Sequence, residues 1–241
     1  MSFITIPVKI EGGFYKNTAV GYLSLVKNAP GSFPNGEDNT AFGYLSLNQN
    51  TTGEGNSALG SNSLALNVSG RFNVAIGERA SYNNTTGQFN VSVGSTALTS
   101  STNSDYNTAL GYGACGVLAG NAGSNTMIGA GAGAIMTTGA KNTIVGRFLG
   151  NQFGLDIRTL SNYIVLSDGD GNPRLWIDNT GAANIPGGIS PSGAGNILTL
   201  QDIGTDPNEI PINQYLGTMA FQDAAAVNLG IAEIDEIRIE K

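Results

Sequence analysis

Hydrophobic positions recur along this chain at a fixed beat. The pattern Asn–(Thr/Ser/Val)–small–hydrophobic–Gly appears eight times: NTAVG at Asn17, NTAFG at Asn39, NSALG at Asn56, NVAIG at Asn73, NVSVG at Asn90, NTALG at Asn107, NTMIG at Asn125 and NTIVG at Asn142. Successive copies start 22, 17, 17, 17, 17, 18 and 17 residues apart. Self-similarity at a fixed period marks a repeat architecture. The hydrophobic column holds Val20, Phe42, Leu59, Ile76, Val93, Leu110, Ile128 and Val145. The position after Asn is mostly Thr or Val, which favours a strand. Between them lie Ala19, Ala41, Ala58, Ala75, Ser92, Ala109, Met127 and Ile144. Strand side chains alternate faces, so one face carries Thr/Val plus a hydrophobe and the other mostly Ala. Neither face is charged, which predicts a strand covered on both sides. The expectation is that the hydrophobe face fills the coil interior. The small-residue face is expected to meet another chain at close range.

The anchors of the repeat are Asn17, Gly21, Asn39, Gly43, Asn56, Gly60, Asn73, Gly77, Asn90, Gly94, Asn107, Gly111, Asn125, Gly129, Asn142 and Gly146. Each Gly is expected at a corner that a β-carbon would block. Four residues on stand Leu25, Leu47, Leu64, Ser81, Leu98, Cys115, Gly133 and Gly150, read as a second short strand with an inward Leu. Turn chemistry then closes the coil at Thr51-Thr52-Gly53, Val68-Ser69-Gly70, Thr85-Thr86-Gly87 and Thr137-Thr138-Gly139. A 17-residue unit is too small to bury its own core, so stacked coils share one. Eight coils at about 4.8 Å each predict a shaft on the order of 40 Å long. The first repeat carries five extra residues within Val26–Asp38, expected to loop outward.

These tandem N-T-A-h-G-x-x-x-L…T-T-G units resemble the repeats of bacteriophage tail-fibre proteins and, more loosely, the head repeats of trimeric autotransporter adhesins. The resemblance covers roughly residues 17–150. It implies left-handed parallel β-rolls, three chains side by side, and hence a homotrimer. After Asn151 the beat stops. Asn162–Ser167 reads as a strand, Asp168–Asn172 as a tight turn, Pro173–Asp178 as the return strand and Asn179–Gly181 as the next turn. Residues 182–200 are rich in Gly, Pro and Ser and read as a linker. The segment PINQYLGTMAF at 211–221 resembles a module of tailed-phage, notably cyanophage, fibre and structural proteins.

The predicted organisation is therefore all-β: an N-terminal segment 1–16, a trimeric β-roll or β-solenoid shaft 17–150 of about eight repeats, a β-hairpin region 151–181, a linker 182–200 and a small β-rich module 201–241. The resemblance implies a virion structural fibre, with a tail fibre that adheres to the host surface as first reading. A capsid, collar or baseplate decoration fibre and a bacterial surface adhesin head are the alternatives. Implied partners are two further copies, other virion proteins and a host-surface glycan. The implied location is the virion, on its tail or another external appendage.

Composition narrows the chemistry. Charged residues are only 12% and Gly numbers 35, which disfavours a helical bundle. There is no His, which removes Ser–His–Asp and Cys–His catalysis and the commonest transition-metal ligand. One Cys allows neither an intrachain disulfide nor a thiolate zinc cluster. Net charge is −7; residues 17–150 are neutral, and residues 201–241 carry eight acidic side chains against two basic ones. An acidic chain without a basic patch is a poor nucleic-acid ligand. No signal peptide or membrane-spanning run is expected.

Isolated motifs are read as structure. Gly111–Gly116 matches G-x-G-x-x-G but lacks the following helix a dinucleotide site needs. Asp168, Asp170 and Asn172 match the first calcium-loop ligands, yet the sixth position is Pro173 and the twelfth Asn179, so a hairpin turn is expected. Cys115 sits in the Leu column and is expected to be buried. Tyr22, Tyr44 and Tyr112 follow corner glycines and are read as coil-edge packing, with glycan contact as the alternative. Trp176 is read as hairpin packing. Glu37, Asp38, Glu54, Glu78 and Asp105 are scattered, with no fixed glycosidase spacing. No catalytic residue, cofactor or metal is expected.

Overall fold

The computed structural model describes residues 16–28 and 36–186. Each Asn–x–small–hydrophobic unit forms a three-residue strand: β1 Thr18–Val20, β2 Thr40–Phe42, β3 Ser57–Leu59, β4 Val74–Ile76, β5 Val91–Val93, β6 Thr108–Leu110, β7 Thr126–Ile128 and β8 Thr143–Val145. These pair in parallel, each with the next, without a register shift: Ala41 faces Ala58, which faces Ala75, and Phe42 faces Leu59, which faces Ile76. Every repeat column is thus a physical column up the sheet. The result is a parallel β-solenoid of roughly 17-residue coils, with no helix among the described residues.

The strands turn at the repeat glycines. Gly77 has φ +127°, and a β-carbon there would sit 2.7 Å from the Gly94 carbonyl of the next coil. Beyond the corner, the structure differs from the expected second strand. Residues such as Leu45 and Leu47 take left-handed conformations, φ 55° and 48°. The segment is a run of turns, not a strand. It still bonds coil to coil: Leu47 N–H donates to Ser63 C=O at 3.0 Å and Gln49 N–H to Ala65 C=O at 3.0 Å. Left-handed backbone costs about 1–2 kcal/mol per residue. Here it turns Leu25, Leu47, Leu64 and Leu98 into the interior, where each is fully buried.

Those leucines reverse the expected strand orientation. The Ala column faces inward: Ala41, Ala75 and Ala109 are wholly buried. The hydrophobe column faces outward, and Val20, Phe42, Leu59, Ile76, Ile128 and Val145 are 38–53% exposed in the single chain. The reason is space. The inward Leu lies opposite the strand and leaves room for only a methyl group at native packing density. Where the Leu column shrinks to Gly133 and Gly150, the strand column grows to Met127 and Ile144, both fully buried. A β-carbon on Gly133 would lie 2.7 Å from the Met127 sulfur.

The interior is built in two parts. Leu25, Ala41, Leu47, Ala58, Leu64, Ala75 and Ala80 form one apolar cluster. A larger one runs from Ala97 to Val165 and includes Met127, Met136, Ile144, Phe148 and Ile157. Between them Ser81 donates to Ser92 at 2.8 Å, and Ser92 donates on to the Val74 carbonyl at 3.2 Å.

Stacking continues past residue 150. After a small hairpin, β9 Asn151–Gln152 and β10 Leu155–Asp156, strand β11 Ile164–Ser167 lies parallel on β8, with Val165 in the inward column and Leu166 in the outward one. Strand β12 Pro173–Ile177 then pairs antiparallel with β11, and β13 Ala183–Asn184 with β12. The expected hairpin is therefore an extension of the same sheet. Ala183–Asn184, read from sequence as the start of a linker, is its last strand among the described residues. Residues 187–200 of the linker, the 201–241 module, residues 1–15 of the N-terminal segment and residues 29–35 of the expected outward loop lie outside the described residues.

Candidate functional site

The repeat Asn residues form a buried amide ladder. Each Oδ1 accepts from the backbone N–H of the Asn in the next coil, at 2.8–3.0 Å, from Asn17 through Asn142, where Tyr163 N–H is the last donor. The Nδ2 groups reach coil-closing carbonyls, as Asn73 does to Gly87 C=O at 2.8 Å, except at Asn107, whose Nδ2 donates to Asp105 C=O of its own coil at 3.2 Å. A second ladder, absent from the sequence reading, runs through Asn28, Asn50, Asn67 and Asn84, with Nδ2–Oδ1 bonds of 2.7–2.8 Å. The two ladders share acceptors: Gly87 C=O also takes Asn84 Nδ2 at 3.1 Å. One carbonyl thus uses both lone pairs inside the protein. Leaving any of these buried groups unpaired costs about 1–3 kcal/mol. The Asn and Gly anchors are brought together as a scaffold.

What that scaffold presents is the outward strand face. In-register pairing aligns Thr18, Thr40, Ser57, Val74, Val91, Thr108, Thr126, Thr143 and Ile164 in one column. The hydrophobes from Val20 to Val145, continued by Leu166, form the other. No charged side chain stands in either column.

Beside this face lies an aromatic ladder that the sequence reading missed. Phe72, Phe89 and Tyr106 each stand one residue before a ladder Asn and are exposed. Phe72 and Phe89 stack at 5.3 Å between ring centroids, and Phe89 and Tyr106 at 5.0 Å with planes 7° apart. The signal was available as an aromatic at one repeat position in three consecutive coils. Of the aromatics singled out instead, Tyr22 and Tyr44 stack at 5.7 Å, both half exposed. Tyr112 is not with them; Ser61, Glu78 and Ser95 fill the same position in the intervening coils.

The remaining candidates take structural roles. Cys115 is fully buried, and burial pushes its thiol up to about 12, which leaves no thiolate nucleophile near neutral pH. The G-x-G-x-x-G segment places Ala114 and Cys115 in the core, inside a coil and ahead of β7 rather than a helix. Asp168 is saturated. Its Oδ1 accepts from Asp170 N–H at 3.0 Å and Asn172 N–H at 2.9 Å, and its Oδ2 from Asn172 Nδ2 at 2.9 Å and the Arg174 guanidinium at 2.6 and 2.9 Å. Those bonds, Asn172 foremost, hold its carboxyl well below the usual range. They are turn and cross-strand bonds, as expected of a hairpin. Trp176 packs against the larger apolar cluster. Asp38 lies 3.9 Å from Lys16, Glu54 pairs with Arg71 at 3.4 Å, and Asp105 accepts from Gln88 N–H at 2.7 Å. Among the described residues no three His, Cys, Asp or Glu side chains converge to hold a metal ion. Comparison of the chain with protein-family models, curated proteins and solved structures finds no match to any of them.

Proposed function

We propose that this protein is a structural fibre component of a tailed-phage virion that assembles as a homotrimer through its outward strand face. The supporting observation is that face: two uncharged, in-register columns running from β1 to β8 and onto β11. Its spacing equals the coil spacing. A partner that matches it along the full length needs the same repeat, and another copy of this chain has it by construction. The repeat motif's resemblance to tail-fibre sequences supports the virion reading. A tail fibre of this kind would contact the host surface through three copies of one weak surface, gaining from avidity.

Sedimentation equilibrium tests the assembly. A mass three times 24.7 kDa, about 74 kDa, is expected, with Leu59→Lys and Ile76→Lys together giving a folded monomer. A monomeric parent chain would overturn the assembly reading. Immunogold labelling of particles tests location: gold on the tail is expected, and gold on the capsid would replace a tail fibre with a decoration fibre.

A further inference from the structure

The second amide ladder stops at one level, and the groups at that level point to a bound molecule. In the preceding coils each Oδ1 accepts from the Nδ2 of the next ladder Asn: Asn50 from Asn67 at 2.7 Å, and Asn67 from Asn84 at 2.8 Å. The same Nδ2 groups also donate to the coil-closing carbonyl three residues on, Asn67 to Gly70 C=O at 3.0 Å and Asn84 to Gly87 C=O at 3.1 Å. Those carbonyls take their other bond from the first ladder, from Asn56 at 2.9 Å and Asn73 at 2.8 Å. Each second-ladder nitrogen therefore joins an amide oxygen to a carbonyl.

One coil further on, Ser101 stands at the ladder position. Its hydroxyl is bonded to Cβ directly, one atom short of where an amide nitrogen sits. Asn84 Oδ1 and Ser101 Oγ are both buried with no hydrogen-bond partner in the protein. Ser104 C=O keeps its bond from Asn90 Nδ2 at 2.8 Å, but at Ser101 there is no amide to supply the second. Ser104 does not supply the nitrogen's bonds either. In the coil before, a β-carbon on Gly87 would meet the Asn84 oxygen, so the Ser104 β-carbon lies on the side of an amide oxygen. Its hydroxyl turns away to Gly120 C=O at 2.7 Å.

Three groups thus lack the same bond: two acceptors and one hydroxyl that can donate. Ser101 and Asn84 are 0% and 2% exposed, and Leu118, the next residue of the column, is buried as well. No carboxylate is among the three, so a cation would be buried there without compensation. A water molecule offers two donors and an acceptor, the complement of the set, and buried waters typically make about three hydrogen bonds to groups otherwise left unsatisfied.

We infer that the shaft holds a structural water at this level, in the position that an amide nitrogen takes in the preceding coils. It donates to Asn84 Oδ1 and to Ser104 C=O and accepts from Ser101 Oγ–H. The water carries the polar ladder one coil further, into the coil where the larger apolar cluster begins with Ala97 and Leu98. The site is made by one chain and does not depend on how copies assemble. Its surroundings are closed, so the water exchanges only when neighbouring coils part and is long-lived beside surface water.

A high-resolution crystal structure of the full chain tests this, together with water-deuteron relaxation dispersion, which counts long-lived waters in solution. Density about 2.7–3.1 Å from Asn84 Oδ1, Ser101 Oγ and the Ser104 carbonyl oxygen is expected. In the Ser101→Asn, Ser104→Gly chain the new Nδ2 is expected at that point, with one long-lived water fewer than in the parent. If the double variant does not fold, the parent crystal decides alone. No density between the three oxygens overturns the inference, as does an equal water count in the parent and a folded double variant. Contacts of about 2.3–2.6 Å mark a hard cation and overturn it too. So does density that becomes heavier when potassium is replaced by rubidium.

Discussion

Amide chemistry at single residues decides where this interior stays polar. A coil-closing glycine is needed wherever the second ladder has an Asn, because a β-carbon on Gly53, Gly70 or Gly87 would collide with the side-chain oxygen of Asn50, Asn67 or Asn84. In the fifth coil that glycine becomes Ser104, and the ladder position becomes Ser101. The substitution leaves Asn84 Oδ1 and Ser101 Oγ buried with no hydrogen-bond partner. Ser101→Asn alone is expected to destabilise by 1 kcal/mol or more, roughly, because its amide meets the Ser104 β-carbon. Ser104→Gly alone is expected to cost about 1 kcal/mol in backbone entropy and a lost bond to Gly120 C=O. Together they restore the ladder, and a thermal-denaturation double-mutant cycle should show favourable coupling of about 2 kcal/mol. Additivity would refute the steric argument. The first Asn ladder was visible in sequence because it spans eight repeats. The second was not: its column holds Asn in four coils and then turns to Ser101, Leu118 and Met136, so it reads as ordinary turn composition.

The hairpin shows how an element responds to its surroundings. Asp168 has its carboxyl pKa depressed by Asn172 and Arg174, so ionised Asp168 stabilises the folded turn. The contribution is fully present above the ordinary Asp value of about 3.9 and is lost as pH falls through the lower folded value. Trp176, the sole Trp, lies two residues beyond Arg174 and reports on β12. Its fluorescence should stay constant from neutral pH to about 4 and change only below that. Asp168→Asn should remove that acid-limb change and loosen the turn at all pH values. The turn and both strands were legible from DGDGN between apolar runs. The stacking of β11 on β8 was not, because the β9–β10 hairpin stretches the interval from 17 to 21 residues. The inverted strand faces were legible in principle. Met127 with Gly133, and Ile144 with Gly150, exchange size between two columns, as only residues sharing one interior must. Hydrophobicity alone points the wrong way, since it favours burying the larger side chain.

For the solenoid as a whole, regularity conceals a gradient. The coils before Ser81 depend on alanines, single leucines and two amide ladders, whereas those beyond Ser92 enclose Met, Ile and Phe side chains. Apolar burial contributes about 25 cal/mol per Å², so the later coils hold more of the stability. Amide exchange should show β6–β8 opening only in global unfolding, with β1 and β2 at least tenfold less protected. Equal protection throughout would mean that the ladders compensate fully. The fold class followed from the 17-residue period. The gradient needed the side-chain directions, which the period does not contain.

That gradient runs against the direction of synthesis. A ribosome releases the N-terminal coils first, and those are the ones with the least apolar material to close around. Coils stabilise one another only by stacking, so the early ones are expected to close last, on a stack seeded by Phe148, Ile157 and Val165. Pulsed amide labelling during refolding should then show protection spreading backward along the chain, each Asn joining a row already formed. On the self-assembly reading proposed above, that delay would let nascent copies on one message meet before any of them has closed alone.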